Sequence, residues 1–521
     1  MKLAAIDIGS NSIKLIVAES LSDDSFAVRE RVKEVVRLGH DTLRDGHLAP
    51  AAIERAIRTI NNFRSAAEKH KVEHTFAIAT ASVREADNAS EFVESVLTST
   101  GIQIDILSGI EEARLIGVAA AHGCAGASTT ILNVDIGGGS TELSLMDDGA
   151  SLELFSVKLG AVGLTERFIS GNTVKPKELR ALVEEVRAAF ERPARELRSR
   201  KWQQTSGTSG TIISIGEALT GKTFATNNGR NASADDVSIS LGKLEEFNSR
   251  MARMTLDERQ GVPGISQQRA EIIVAGGQIL EGAMRAFDIK SVKVCDWALR
   301  EGVILDRLRE LAAETRPPLP DKIDPRLESV RAIGAKYDYE EEHASCVAAL
   351  AENIFDDLTS VHRLGRHYRT LLAAAALLHD IGYIVAHESH HKHSLYLIKH
   401  SELTGFSESD RDVIANVARY HRRALPKERH TEFAALNETQ REAVWKLGAI
   451  LRVADALDRS HLGRVRGVRC ASDGKTIEMT LRPAAEDCEN ELWAVRQKND
   501  MFEQVFNCKL NVRAEERAEV R

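Results

Sequence analysis

The sequence predicts an α/β protein with an added α-helical part and a small C-terminal α+β unit. Three observations lead there. An apolar run, Asp-Ile-Gly, small polar residues and renewed apolar alternation stand at the start, in LAAIDIGSNSIKLIVAE, and again around Asp135, in TILNVDIGGGSTELSLM. The stretch ETRPPLPDKIDPR sets four prolines between Thr315 and Arg326, where neither helix nor sheet continues. Beyond it the chain turns rich in histidine and takes on helical apolar spacing.

Each element follows from local pattern. Leu3–Ile8, a glycine turn and Ile13–Val17 read as a β-hairpin, Ala51–Lys71 as an amphipathic helix, and Phe76–Ala79 as a short strand. The second copy repeats the hairpin in Thr130–Val134 and Glu142–Met146, and a charged helix covers about Lys177–Lys201. After the prolines, Glu341–Leu358, Tyr368–His379, His393–His400, Glu408–His421 and Thr439–Arg459 are helix candidates. In the tail, KTIEMTLRP and ELWAVRQK alternate as strands do. These breaks divide the chain into units at 1–129, 130–314, 315–463 and 464–521, as expected of 521 residues, which exceed what one core usually organises.

Composition excludes several classes of function. With 43% hydrophobic and 28% charged residues and a formal net charge of −8, the chain is not a general binder of nucleic acid or anionic membranes. The longest apolar run, Leu371–Leu378, falls well short of the roughly 20 residues of a membrane span. The start lacks a secretory signal, so a cytoplasmic protein is expected. Six scattered cysteines without a Cys-x-x-Cys pair predict reduced, structural thiols rather than disulfides or a zinc ribbon.

The repeated turn is where chemistry is expected. In the first copy, Asp7 precedes Gly9, Ser10, Asn11 and Ser12; in the second, Asp135 precedes Gly137, Gly138, Gly139, Ser140 and Glu142. Glycine allows positive φ and close backbone approach, successive amides and hydroxyls form an anion nest, and the aspartates suit Mg²⁺ or Mn²⁺. One such turn is commonly a plain hairpin turn; two, each after an apolar strand, point to a phosphate site. Ser209, Gly210 and Thr211, in SGTSGT, supply further donors or form an ordinary loop.

This arrangement resembles the superfamily of acetate and sugar kinases, heat-shock chaperones and actin, built from two duplicated actin-like, ribonuclease-H-like domains. Within it, AAIDIGSNS, ATASVREADN, SGIEEARLIGVA, DIGGGSTEL, TSGTI and ALREGVI resemble, in order, the motifs of the exopolyphosphatase and guanosine pentaphosphate phosphohydrolase family. HHKHSLYLI and RYHRRALPK extend the resemblance to the long form of that family. It implies hydrolysis of a terminal phosphoanhydride, with Glu112 as catalytic base, Glu142 near metal and water, and Arg84 on phosphate. On residue type alone, Glu111 and Glu112 are equally acids opening a helix near Ile110, and Arg114 pairs with Glu111 at i,i+3 spacing. Arg300 and Glu301 fit a helix-orienting role. Trp297 departs from the family, which commonly has a small residue there.

In the helical part, His343, the pair His379-Asp380 and Asp455 have the order of an HD phosphohydrolase site, able to hold a second divalent metal. Each histidine alone is more simply a core or surface residue. His390, His391, His393 and His421 could serve a second ion or meet phosphate, and Lys392, Arg422, Arg423, Arg464 and Arg466 could meet a polyanion or line a dimer boundary. The function expected is Mg²⁺-dependent release of the terminal phosphate of inorganic polyphosphate by a homodimer. Guanosine pentaphosphate is the alternative substrate, and an actin-like kinase or ATP-driven binding module the alternative class.

Overall fold

The computed structural model describes residues 1–39, 46–124, 129–222, 237–315, 324–484 and 488–515. Most of the proline-dense stretch lies outside the described residues. The chain divides into two compact units, Met1–Ala313 and Glu314–Arg521.

The first unit holds two sheets. In one, β1 (Lys2–Ile8), β2 (Ser12–Ser22), β3 (Ser25–Val35), β4 (His74–Ala79) and β5 (Ile104–Ile106) lie in the order β3-β2-β1-β4-β5. In the other, β6 (Ile131–Ile136), β7 (Thr141–Asp147), β8 (Ala150–Val157), β9 (Gln204–Thr208), β10 (Ser238–Ser240) and β11 (Ser291–Val294) lie in the order β10-β11-β9-β6-β7-β8. β6, β7, β8, β9 and β11 thus repeat the places and senses of β1 to β5, with an antiparallel hairpin pair beside parallel strands. β10 adds an antiparallel edge that the first sheet lacks. Both hairpins begin on a central strand covered on both faces, which is why β1 and β6 read as continuous apolar runs. The helix Pro50–Lys69 starts on a proline whose missing N–H costs nothing at that position and buries Ala52, Ala56, Ile60, Phe63 and Ala67 along one stripe.

The helix Leu299–Thr315 packs back on the first sheet. Fully buried Glu301 accepts from Arg31 at 3.0 Å, and Arg300 donates to the Leu15 carbonyl at 3.2 Å. Arg114 does pair with Glu111, at 2.7 Å, and also reaches Asp306 at 2.9 Å. Breaking such a buried cluster leaves charge without a counter-charge. Asp306→Ala is therefore expected to destabilise the first unit by about 3 kcal/mol, read as an earlier midpoint in denaturant. An unchanged midpoint would show that Glu111 alone satisfies Arg114.

One expectation is corrected in this unit. Cys124 and Cys295 form a disulfide, so not all six cysteines are thiols. The end of the helix Gly109–Cys124 and the chain leaving β11 bring the two Cα atoms to 6.2 Å across a sequence separation of 171, a proximity that spacing does not signal. Trp297, the departure from the family, packs on Phe26 and His122, with ring centroids at 5.2 and 5.1 Å.

The second unit has one apolar core running from Val330 to Val512. Its principal helices are Glu341–Asp357, His367–Leu378, His390–Lys399, Glu408–Arg419 and Glu438–Ala456. Residues 371–378 are all buried at the centre of this bundle, which accounts for the longest apolar run. Among the described residues no helix is long and apolar enough to cross a membrane. The sheet β12 (Val465–Ser472), β13 (Thr476–Pro483) and β14 (Lys509–Ala514) packs against the helices. ELWAVRQK, expected as a strand, lies in the helix Glu489–Lys498. β13 and β14 are parallel, so a crossover must join them; the helix buries Glu491, Ala494 and Val495 and leaves Trp493 64% exposed.

Candidate active site

The two glycine turns meet. In the first, the Gly9 amide donates to the Ser12 carbonyl at 3.2 Å; in the second, the Gly137 amide donates to the Ser140 carbonyl at 2.9 Å. A Cβ on Gly138 would stand 3.0 Å from Ser10 Cβ, so the turns touch through these residues. The expectation of positive φ is corrected, because Gly9, Gly137, Gly138 and Gly139 all lie outside that region. What requires glycine is close approach: a Cβ on Gly137 would lie 2.9 Å from the Ser140 carbonyl, and one on Gly160 would lie 2.2 Å from the Gly138 carbonyl. The third small-residue run ends β9 and opens the helix Ser209–Thr220. Ser209 itself has φ of 93°, a strained value for a non-glycine residue, and its Oγ accepts from the Thr211 amide at 3.2 Å. Arg269 lies over Gly210 and donates to Thr211 Oγ1 at 3.0 Å.

Four buried carboxylates gather beside the turns. Asp7 pairs with Lys14 at 3.2 Å, and Asp135 accepts from the Thr208 hydroxyl. Glu112 accepts from Arg84 at 3.1 Å, while Arg84 also donates to the Leu107 carbonyl at 2.8 Å. Glu142, 1% exposed, accepts from Ser156 on Oε1 at 2.8 Å, and its Oε2 has no hydrogen-bond partner. Burial pushes Glu112 up to about 7; Arg84 pulls against this, and the charges of Asp135 and Asp7 add to it. Burial and the neighbouring carboxylates Glu112 and Asp135 hold Glu142 well above the usual range. Asp135 is raised as well, chiefly by burial. Mutually repelling acids with one partnerless buried oxygen fit a divalent cation, with Asp7, Asp135 and Glu142 as the residues to hold it.

The structure thus brings Glu112, Glu142, Asp7, Asp135, Arg84 and the two nests together, and sets Glu111 apart on Arg114. It also adds residues that sequence reasoning missed. Register puts Lys14 opposite Asp7 and Lys33 opposite Lys14, and in the second sheet Glu142 opposite Asp135 and Ser156 opposite Glu142. Extending the hairpin pairing by one strand would have found Lys33 and Ser156. Arg269 carries no such signal. Burial and then the charges of Arg269, Lys14 and Arg300 lower Lys33 to about 8, so cations crowd this side of the site. Since Arg84 is the nearest positive charge to Glu112, Arg84→Met is expected to move the pH dependence of the rate to higher pH; a profile superimposable on the wild type would break that link.

In the second unit, His343, His379, Asp380 and Asp455 also converge. Nε2 of His379 lies 3.5 Å from Asp380 and 3.7 Å from Asp455; Nε2 of His343 lies 4.0 and 3.9 Å from the same groups. Burial opposes charge on His379, but Asp380 and Asp455 carry it to about 9. His390 and His421 join through Asp380 at 3.1 and 3.5 Å. His391 is buried nearby and is lowered to about 4, first by burial and then by His390 and Arg422.

Apposed glycine turns, a buried carboxylate raised to about 7 and a repeated pair of sheets accord with a phosphoanhydride hydrolase, the class that the family of this chain defines. The chain belongs to the Ppx/GppA phosphatase family, whose model matches residues 16–311; a second model, for domain III of these phosphatases, matches residues 326–494. Among solved structures, a family member from Aquifex aeolicus is 25% identical, covering 61% of this chain and 99% of its own, with a TM-score of 0.52. An exopolyphosphatase-like protein is also 25% identical, covering 60% and 100%, with a TM-score of 0.54. An exopolyphosphatase from Cytophaga hutchinsonii, 21% identical over 60% of this chain and 98% of its own, shares the fold at a TM-score of 0.54.

Proposed function

We propose that the nest site releases the terminal phosphate of inorganic polyphosphate in the presence of Mg²⁺. The observation that carries this reading is the gathering of Lys14, Lys33, Arg269 and Arg300 beside the nests, with Lys33 opposite Lys14 in register. Clustered cations of this kind favour a chain of phosphates over a single group. The backbone amides of the two turns, with Ser10, Asn11, Ser12 and Ser140, hold phosphoryl oxygens, and Ser209, Gly210 and Thr211 extend the cradle. Asp7, Asp135 and Glu142 would hold the cation, whose charge would screen that of the phosphoryl group. Glu112 takes a proton from water as its oxygen adds to the terminal phosphorus, and the bond to the bridging oxygen breaks, leaving the shortened chain. Arg84 orients Glu112 and offers its remaining N–H groups to the phosphoryl oxygens.

A cavity of about 230 Å³ beside Ser10 and Asn11 favours guanosine pentaphosphate as second substrate. Val162, Ile169, Leu256 and Ile272 give it apolar walls, and Arg37 and Glu271 give it polar ones, a lining suited to a nucleoside. The deciding experiment measures phosphate release in parallel from long polyphosphate, guanosine pentaphosphate and ATP. The highest kcat/KM is expected for polyphosphate; preference for ATP would overturn the reading in favour of a kinase or ATP-driven module. We further propose a cytoplasmic homodimer, for which light scattering in solution tests the dimer.

A further inference from the structure

We propose that the second unit carries a separate two-metal centre, bridged by Asp380, that hydrolyses organic phosphate esters. Its two ligand sets, His343-His379-Asp380 and Asp380-His390-His421, each place their ligand atoms within 4.8 Å of one another. The two oxygens of Asp380 address different pairs. Oδ2 faces Nε2 of His379 at 3.5 Å and of His343 at 4.0 Å, whereas Oδ1 faces Nε2 of His390 at 3.1 Å and of His421 at 3.5 Å. This is the geometry of a bridging carboxylate. Asp455 Oδ1, 3.9 and 3.7 Å from His343 and His379, completes the first set, while Lys498 holds its other oxygen at 2.5 Å.

The outer side of each ring is already fixed. Nδ1 of His379 meets the Ala376 carbonyl at 2.7 Å, that of His421 the Ala418 carbonyl at 2.7 Å, that of His390 the His387 carbonyl at 3.2 Å, and that of His343 the Asp458 carboxylate at 2.8 Å. Metal-ligating histidines are oriented in this way, with the outer nitrogen donating and the inner one turned to the ligand side, where Nε2 of His390 and of His421 stand 3.5 Å apart. Nε2 of His343 and of His379 are buried with no hydrogen-bond partner, although both residues are at least nine-tenths buried. A core histidine cluster kept for packing would pair these atoms. Mixed imidazole and carboxylate donors suit Mn²⁺ or Fe²⁺, and four ligands on one side with three on the other leave positions for water and phosphate.

The rim points to an organic substrate. Directly after Asp380, Tyr383, Ile384 and Val385 are 38%, 54% and 55% exposed, and the Tyr383 ring lies 3.9 Å from that of His390. Arg422 donates to Nε2 of His390 at 3.3 Å, and gives up this contact to phosphate when that nitrogen ligates a metal. An apolar, aromatic lip beside an arginine suits a phosphate ester with a planar organic group, such as a nucleotide ester, and has no use for inorganic polyphosphate. In the reaction, the water oxygen bonds to phosphorus, the bond from phosphorus to the ester oxygen breaks, and the proton lost by water ends on the departing alkoxide.

The test uses the full chain with Glu112→Gln, so that the nests do not contribute base catalysis. After metal stripping and Mn²⁺ dialysis, this protein is expected to hold two more equivalents than the same chain with His379→Ala/Asp380→Ala, and one more than with His390→Ala/His421→Ala. Electron paramagnetic resonance should show a coupled Mn²⁺ pair. Hydrolysis of p-nitrophenyl thymidine 5′-phosphate should be present and vanish in both double variants. Asp380→Asn, which keeps the shape, should lose the coupled signal while its circular dichroism stays that of the parent. Equal Mn²⁺ content in parent and variants, or ester hydrolysis absent from the Mn²⁺-loaded parent, would overturn the proposal and leave the nest reading untouched.

Discussion

Glu112→Gln lowers turnover by about 10²-fold or more while substrate binding persists, because the amide keeps the shape but accepts no proton. The effect is expected to depend on pH in the wild type. Burial holds Glu112 at about 7, so the carboxyl is largely protonated below that value and inactive as a base. The rate should therefore rise through pH 7 and level above it, and this limb should be missing from the residual activity of the glutamine variant. Glu111→Gln should be milder in turnover, since Glu111 is spent on Arg114 at 2.7 Å. Steady-state rates and equilibrium binding of polyphosphate across pH decide the matter; the opposite ranking of the two glutamates would move the base to Glu111.

Gly138→Val is expected to abolish both binding and turnover. The first Cβ would already press on Ser10 at 3.0 Å and on Val162 at 3.3 Å, and the two added methyl groups of valine would crowd the contact between the two turns further. The cause is occupied space rather than backbone strain, because Gly138 does not lie at positive φ. Gly138→Ala should consequently fall between the two. Polyphosphate binding by folded Gly138→Val at wild-type affinity would show that the nests do not hold the substrate through this turn.

Much of the site was legible because both copies of the motif keep their parts local. Asp7 to Ser12 and Asp135 to Glu142 are single hairpins, so an apolar strand, an acid and a glycine turn read together locate the nests. The helix opening near Ile110 was legible too, and with it the paired acids. The strand assigned to ELWAVRQK shows where reading by alternation stops. Eight residues with apolar positions at both period 2 and period 3.6 fit either element, and only the parallel pairing of β13 with β14 requires a helix there.

The sequence by itself determined the chemistry available: two glycine turns, acids beside them, and a helical part whose histidines stand in the order of a metal site. Local pattern suffices for these, because strand, turn and helix periodicity act over a few residues. Tertiary structure alone decided which of two neighbouring glutamates enters the site, since Arg114 and Asp306, from a helix far along the chain, hold Glu111 away from it. It likewise decided that Cys124 meets Cys295, that Arg269 covers the third donor run, and that the two oxygens of Asp380 face different histidine pairs. Contacts between segments as much as 192 residues apart arise from packing of whole sheets and helices, which local pattern does not specify.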